Sequence, residues 1–165
     1  MSAHVDDLVE ELREPARALI AACDAAGLQP RLTSSVRSYA EQTRLYRRFL
    51  AGQQGFPVAP PGYSAHEYGE AFDMVVTPMD ALADVGYTWQ SWGGGWGQSD
   101  AIHFELPGAT ARAKERGKSL IAVYAQRFGE LPWWVSLALP VATATKQDNT
   151  AQIQEKLCSW FGIAC

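Results

Sequence analysis

Cysteine is scarce in this chain, and basic residues are fewer than acidic ones. Its 165 residues include three cysteines, Cys23, Cys158 and Cys165, an odd number without zinc-finger spacing. Cys158 and Cys165 pair in one interpretation, and free thiols are the interpretation that we favour. With 14 Lys and Arg against 18 Asp and Glu, the net charge is −4. This charge gives no support to a nucleic-acid-binding or polybasic membrane-binding protein.

Long apolar runs are absent as well. No stretch approaches the roughly 20 apolar residues of a membrane-spanning helix. The acidic segment 1–11 lacks the basic-then-apolar pattern of a signal peptide. We therefore predict a protein made in the cytoplasm, with no integral membrane span. Hydrophobic residues make up 47% of the chain and charged residues 19%, as in a globular protein with room for one domain.

Histidine is also scarce, and two of the three histidines have carboxylates nearby in sequence. Asp73 follows His66 in one segment, and Asp100 precedes His103 by three positions in another. Two His and one Asp are three ligands, which leave a zinc ion one position for water, as in catalytic sites. A histidine beside apolar residues is more often a satisfied core or surface residue. Spacing alone leaves both interpretations open.

Two short strands would bring these groups together. Residues 71–76 read as a buried strand whose core face carries Phe72, Met74 and Val76. Asp73 points from the opposite face, and Gly69 lets the preceding loop fold back so that His66 meets this carboxylate.

The second strand, residues 101–106, has the same alternation. Its core face carries Ile102, Phe104 and Leu106, which leaves His103 on the same side as Asp73. Asp100 lies at the entrance of this strand, near enough to reach a water on the metal without binding the metal itself.

Helical patterns occupy much of the N-terminal half. An apolar stripe and acidic first turns predict a helix over residues 5–26, which Pro15 kinks or splits at Glu14. Residues 30–36 read as a strand. Ser38, with Glu41 completing a capping box, begins a second helix that runs to position 52.

Glycine and proline make residues 51–63 a loop. Beyond the first predicted metal strand, Thr77 caps a short helix with Pro78 at its first position. Residues 87–97 hold three tryptophans among four glycines, and residues 111–128 read as a helix with a basic first half.

Three ordered motifs carry a family resemblance: Ser64-x-His66-x-x-Gly69-x-Ala71-x-Asp73, Trp92-Gly93-Gly94-x-Trp96 and Asp100-x-x-His103-Phe104-Glu105. Together they resemble the zinc D-Ala-D-Ala carboxypeptidase and L-Ala-D-Glu endopeptidase family, which includes VanY-type peptidases and phage endolysins. The resemblance implies an α+β fold of the hedgehog/DD-peptidase type, with a small antiparallel sheet that carries a zinc site and is flanked by helices.

The resemblance also implies residue roles. In this family the matching residues His66, Asp73 and His103 bind Zn2+. The acidic residue that matches Asp100 is the general base, which takes a proton from the attacking water and passes one to the leaving amine. Glu105 is interpreted either as a hydrogen-bond acceptor behind the metal ligands or as a surface residue.

Four further residues have roles under the resemblance. Arg37 matches an arginine that lies near the substrate carbonyl, although the pattern alone favours an ordinary surface residue. Gln42 contacts substrate or braces its helix against the loop, and Ser64 contacts substrate or holds the loop. Trp92 is the predicted aromatic wall of the substrate groove.

The implied activity is hydrolysis of a peptidoglycan stem peptide by a zinc metallopeptidase. The residues leave open whether the bond is D-Ala-D-Ala, as for a carboxypeptidase, or L-Ala-D-Glu, as for an endopeptidase. Because a cell-wall enzyme without an export signal indicates a phage, we predict a lysin or a virion component. A non-catalytic zinc-fold wall-binding module and a virion structural protein are the alternatives.

The expected organisation is a zinc peptidase domain at residues 1–108 and a helical C-terminal extension at 109–165. The extension packs on the domain or docks to another protein, such as a phage virion component. It contains an apolar segment with Trp133 and Trp134, interpreted as packed or as a docking or membrane-surface patch, and a final helix over 151–161.

Overall fold

The computed structural model describes residues 3–128. The predictions for Cys158, Cys165, the Trp133–Trp134 segment and the helix at 151–161 lie outside these residues. The division at residue 108 therefore stays a prediction.

The described residues form an α+β fold, as the sequence predicts. Three antiparallel strands lie in the order β1-β2-β3, and they comprise β1 (Arg31–Ser34), β2 (Ala71–Val75) and β3 (His103–Glu105). Four helices flank this sheet: α1 (Glu10–Ala25), α2 (Tyr39–Leu50), α3 (Leu82–Ser91) and α4 (Ala109–Phe128). Strands β1 and β3 are shorter than the predicted 30–36 and 101–106. None of the described helices is both long and apolar enough to cross a membrane.

The alternation of β2 separates the core from the site. Phe72 and Met74 are fully buried and pack with Phe104 of β3 against helices α1 and α3. Burying each such side chain contributes about 1.5–3 kcal/mol. Asp73, between them, points to the opposite face, as predicted.

Helix α1 begins at Glu10, not at residue 5. Val5–Asp7 form a separate 3-10 turn, and the backbone N–H of Val9 donates to the Gly69 carbonyl at 3.1 Å. The Val9 N–H is therefore bonded to a different segment of the chain, and α1 begins only at the next residue. Of the two alternatives predicted at Pro15, a kink or a split, the split is wrong, because α1 runs through this residue without interruption. A proline removes one helical hydrogen bond, and here the buried stripe on either side, Leu12, Ala16 and Leu19, holds the helix on the sheet.

Helix α2 begins as the sequence predicts. The Ser38 side chain accepts from the Glu41 N–H, and the Glu41 carboxylate accepts from the Ser38 N–H at 2.9 Å. This capping box places the N-cap directly after Arg37 and starts α2 two residues after it, which fixes the corner between β1 and the helix.

The region after β2 differs from the prediction at its start and its length. Thr77 does not cap a helix, because Pro78 is the residue that precedes the 3-10 turn Met79–Ala81. Helix α3 follows and extends to Ser91, into the tryptophan- and glycine-containing segment 87–97.

Helix α4 packs against the segment that leads into β2. Ala109 and Ala113 are fully buried against Ala65 and Ala71. Gly117 lies so close to Tyr63 that a Cβ atom there would come within 2.3 Å of the ring. The small residues on this face of α4 therefore allow the close approach.

Glu70 anchors helix α4 to the domain. Its buried carboxylate accepts from Arg112 Nη2 at 2.8 Å and from Arg116 Nη1 at 2.6 Å. The two arginines lie one turn apart on α4, so that a single carboxylate at the start of β2 holds the first half of the helix.

Candidate active site

Three side chains converge on one point at the sheet's open face. His66 Nε2 lies 3.1 Å from Asp73 Oδ1 and 3.2 Å from His103 Nδ1, and His103 Nδ1 lies 3.2 Å from Asp73 Oδ1. His66 comes from a 3-10 turn, Ala65–Tyr68, that ends at Gly69 with a φ of 68°. Asp73 and His103 are directly paired across β2 and β3. The sheet register thus sets two of the three positions.

This triangle has the dimensions of a zinc site. Ligand distances of about 2.0–2.2 Å around a tetrahedral zinc separate the ligand atoms by roughly 3.3–3.6 Å. The observed edges of 3.1–3.2 Å are close to that value. His66, Asp73 and His103 are also a group of described residues whose ligand atoms could hold one ion. The donor set fits the metal that the sequence predicts.

The outer nitrogens of both imidazoles are occupied. His66 Nδ1 lies 2.8 Å from the Ser35 carbonyl oxygen, which can only accept, so that this nitrogen carries the proton. His103 Nε2 lies 3.2 Å from Glu105 Oε2. In the neutral rings, the unprotonated nitrogens are therefore the two that face Asp73. Imidazoles that bind metals commonly have this arrangement.

Arg37 contacts Asp73, one of the three residues that could hold the metal. Its Nη2 donates to Asp73 Oδ2 at 3.0 Å, its Nη1 to Gln42 Oε1 at 3.1 Å and its Nε to Ser34 Oγ at 3.1 Å. A bulge in β1 between Leu32 and Ser34 turns this end of the strand toward the site. The guanidinium thus orients Asp73 so that Oδ1 faces the imidazoles.

Buried charges shift the pKa values of these groups. Burial opposes ionisation of Asp73, but hydrogen bonds with His103 and His66 and the charge of Arg37 hold the pKa of this carboxyl well below its usual range. Burial also disfavours the His103 imidazolium, but hydrogen bonds to Asp73 and Glu105 outweigh burial and raise the pKa of His103 to about 9. Without metal, His103 is thus the cation of the cluster at neutral pH.

A cavity of about 1030 Å³ opens over this cluster. Asp100 lines it, exposed at the end of a 3-10 turn, Gln98–Asp100. Trp96 Nε1 donates to the Ala101 carbonyl at 2.8 Å and anchors the chain next to Asp100. Asp100, the base predicted from the sequence, therefore lines the same cavity as His66, Asp73 and His103.

Of the residues predicted to contact substrate, Gln42 and Ser64 line the cavity and Trp92 does not. Gln42 lines the cavity but is fully buried, and its Nε2 donates to the Ala59 carbonyl at 2.7 Å. It braces α2 against the loop, as one of the two interpretations held. Ser64 also lines the cavity, where the Glu67 carboxylate accepts from its backbone N–H at 3.2 Å.

Trp92 does not line the cavity. It follows the end of α3, where its side chain is 49% exposed. Gly93, with a φ of 92°, then turns the chain, and Trp96 is the tryptophan that reaches the cavity wall. The predicted groove residue is therefore corrected from Trp92 to Trp96.

Several residues of the site are missing from the sequence analysis. Ser35 contacts His66, which is distant in sequence. Ser34 and Thr110 lie close in sequence to their partners Arg37 and Glu105, but each contact joins two different elements, and no periodic pattern predicts it. Lys114, which also lines the cavity, lies on α4 beyond the three motifs.

Comparison with known proteins identifies the family. A family model named VanY and described as D-alanyl-D-alanine carboxypeptidase matches residues 6–106. No curated protein matches the chain at a significant level. The match covers more than half of the chain, so this protein belongs to the VanY family of peptidoglycan peptidases, which confirms the resemblance seen in its motifs.

Two solved structures share the fold, and a third aligns less well. VanYB in complex with D-Alanine-D-Alanine aligns with a TM-score of 0.52 and 16% identity over 74% of this chain and 84% of that one. A mutant of the vancomycin-resistance D,D-pentapeptidase VanY in complex with Zn(II) aligns with the same score and identity over 75% and 80%. An L,D-carboxypeptidase DacB from Streptococcus pneumonia has 25% identity and a TM-score of 0.45, over 70% and 73%.

Proposed function

We propose that this member of the VanY family is a zinc-dependent hydrolase of peptidoglycan stem peptides, with D-Ala-D-Ala carboxypeptidase as its first activity. The carrying observation is the triangle of His66 Nε2, Asp73 Oδ1 and His103 Nδ1, with edges of 3.1–3.2 Å and both outer imidazole nitrogens bound. The Zn(II) complex of a related structure supports the choice of metal.

The chain's own residues supply the proton transfer. Zinc, when bound to His66, Asp73 and His103, is a Lewis acid that lowers the pKa of water from about 15.7 toward 7. Asp100, exposed in the same cavity, accepts the proton of the attacking water and returns one to the leaving amine. Its exposure lets the carboxylate move between the two positions.

Arg37 holds Asp73 in place and also donates hydrogen bonds to the reacting substrate. The three hydrogen bonds to Ser34, Gln42 and Asp73 use one N–H on each guanidinium nitrogen. A guanidinium has five N–H groups, which leaves one on each Nη for the oxyanion that forms on the scissile carbonyl. Such a donor contributes about 3–4 kcal/mol to transition-state stabilisation.

A carboxypeptidase also needs a cation for the terminal carboxylate of its substrate. Arg37 and Lys114 are the arginine and lysine that line the described cavity. Lys114 is exposed and lies one helical turn after Thr110, whose N–H reaches Glu105 beside the metal cluster. We assign terminal-carboxylate binding to Lys114, because the N–H groups of Arg37 that are still free serve the oxyanion.

L-Ala-D-Glu endopeptidase activity is the second candidate. A volume of about 1030 Å³ is at the upper end of the range for small-ligand sites. It offers room for a peptide that continues on both sides of the scissile bond. A phage origin, as an endolysin or as a virion component with partners along residues 109–165, stays a prediction from the sequence.

Digestion of purified muropeptides tests both candidates. The protein is loaded with zinc or stripped with a chelator, and the products are weighed by mass spectrometry. Zinc-dependent release of D-alanine supports the carboxypeptidase, and cleavage after L-alanine supports the endopeptidase. If neither product forms with zinc bound, the non-catalytic wall-binding module replaces the peptidase as the best description.

A further inference from the structure

We infer that Glu105, held by Thr110 of helix α4, is a positioning residue that fixes the ring of the metal ligand His103. This inference rests on the proposed metal site and extends it to a helix that begins after the family match ends at residue 106. No motif in that region indicates such a role.

The contacts form a continuous path from α4 to the metal cluster. Glu105 Oε2 accepts from the Thr110 backbone N–H at 3.1 Å and from the Thr110 hydroxyl. The same oxygen lies 3.2 Å from His103 Nε2. His103 Nδ1, on the other side of the ring, faces Asp73 and His66. The Glu105 side chain is only 12% exposed, so water competes little for it.

The structure makes room for this carboxylate. Gly95 forms a bridge with Glu105, in which each backbone N–H donates to the other's carbonyl, at 2.8 and 3.0 Å. A Cβ atom at position 95 would come within 2.7 Å of Glu105 Cγ. The glycine therefore lets the side chain lie flat against the neighbouring segment.

Helix α4 supports the charged form of Glu105. The N–H groups in the first turn of a helix have no partners within the helix, and the helix dipole favours an anion there. Thr110 is the second residue of α4, and its N–H donates to Glu105. A carboxylate acceptor keeps the proton of His103 on Nε2 and leaves the Nδ1 lone pair for the metal.

Three substitutions in the full-length protein test this role. Glu105→Gln keeps the size of the side chain and removes its charge, and Thr110→Val removes the hydroxyl. Zinc affinity is measured by competition with a chelator above about pH 9, where protons compete little for His103 in any variant. Thermal unfolding is followed on the metal-free proteins. We expect Glu105→Gln to raise the zinc Kd about 10–100-fold. Thr110→Val raises it less, and Thr110→Ser restores the wild-type value.

Glu70→Gln is the matched control. Glu70 is also a buried carboxylate that holds α4, but no contact joins it to a metal ligand. We expect this variant to lower the unfolding temperature of the metal-free protein without changing the zinc Kd. A Glu105→Gln variant with wild-type zinc affinity, or a Glu70→Gln variant with an equal loss of affinity, overturns the inference. If the wild-type protein itself binds no zinc, the proposed function fails instead.

Discussion

Asp73 uses its two carboxylate oxygens for different tasks. Oδ1 faces both imidazoles, and Oδ2 accepts from Arg37. The arginine therefore removes the freedom of the carboxylate to rotate or to bind a metal through both oxygens. Because Arg37 uses only Oδ2, a positively charged side chain can lie next to a site that is suited to a metal cation.

The first prediction concerns the base. Replacing Asp100 by Asn removes the proton acceptor and leaves all three metal ligands in place, because Asp100 belongs to a separate 3-10 turn. We expect kcat to fall by about 10²–10⁴-fold with an unchanged zinc Kd. Turnover of a muropeptide substrate and chelator competition measure the two quantities. Near-normal turnover would show that another group is the base.

The second prediction concerns pH. Without metal, the pKa of His103 is raised to about 9, so that below this pH zinc must displace a proton from the ring. Apparent zinc affinity should therefore rise with pH, by about tenfold per unit between pH 7 and 8.5, and level off above 9. Chelator competition across this range measures the slope.

Glu105→Gln is the informative comparison for this slope. Glu105 contributes to the raised pKa of His103, so its neutral analogue should shift the levelling point to lower pH. An affinity that is flat from pH 7 to 8.5 in the wild-type protein would show that His103 is not the competing group.

At the scale of elements, the packing of α3 controls the segment that carries Asp100. Gly86 lies on α3 under Trp96, and a Cβ atom there would come within 2.0 Å of the indole. The indole also holds Ala101 through its hydrogen bond. A larger residue at position 86 would therefore displace Trp96 and, with it, the cavity wall next to Asp100.

The third prediction follows from this contact. Gly86→Ala gains about 1 kcal/mol in helix propensity, but displacing a partly buried indole outweighs that gain. We expect a net loss of about 1–3 kcal/mol in the free energy of unfolding, together with reduced turnover. Urea unfolding measures the loss. Gly55→Ala is the control, since a Cβ atom there meets nothing within 4 Å, and an equal loss in both variants would contradict the argument.

Local patterns predicted the elements that carry the metal ligands. The alternation of residues 71–76 placed Asp73 opposite the core, and the Ser38–Glu41 pair gave the start of α2. The sequence pattern predicts Trp92 as the groove tryptophan, whereas Trp96 lines the cavity. Both residues lie in one glycine-rich segment, so the pattern alone does not distinguish them. Only the turn at Gly93 determines which of them reaches the cavity. The Thr110–Glu105 contact joins a helix to a strand, and no sequence period reports such a contact.

At the scale of the whole molecule, α4 belongs with the catalytic region. It packs against the segment before β2 through Ala109 and Ala113, and it contributes Thr110 and Lys114 to the cavity. The functional unit therefore extends past residue 106, where the family match ends.

The fourth prediction compares two truncations. A chain that ends at Phe128 keeps every residue that lines the described cavity, and we expect wild-type zinc affinity and peptidase activity. A chain that ends at Gly108 loses α4, and we expect both properties to be lost. Chelator competition and muropeptide digestion measure them. Activity in the shorter chain would show that α4 is dispensable, and loss of activity in the longer one would assign a role to residues 129–165.

The direct pairing of Asp73 with His103 has a consequence for how this family can diversify. Two of the proposed metal ligands come from one rung of an antiparallel ladder, so their separation is set by strand spacing and not by the connection between the strands. The connection between the strands can therefore change in length without altering the spacing of Asp73 and His103, provided that α3 and Asp100 keep their places. A one-residue slip of the ladder, by contrast, would turn one of the two side chains into the core.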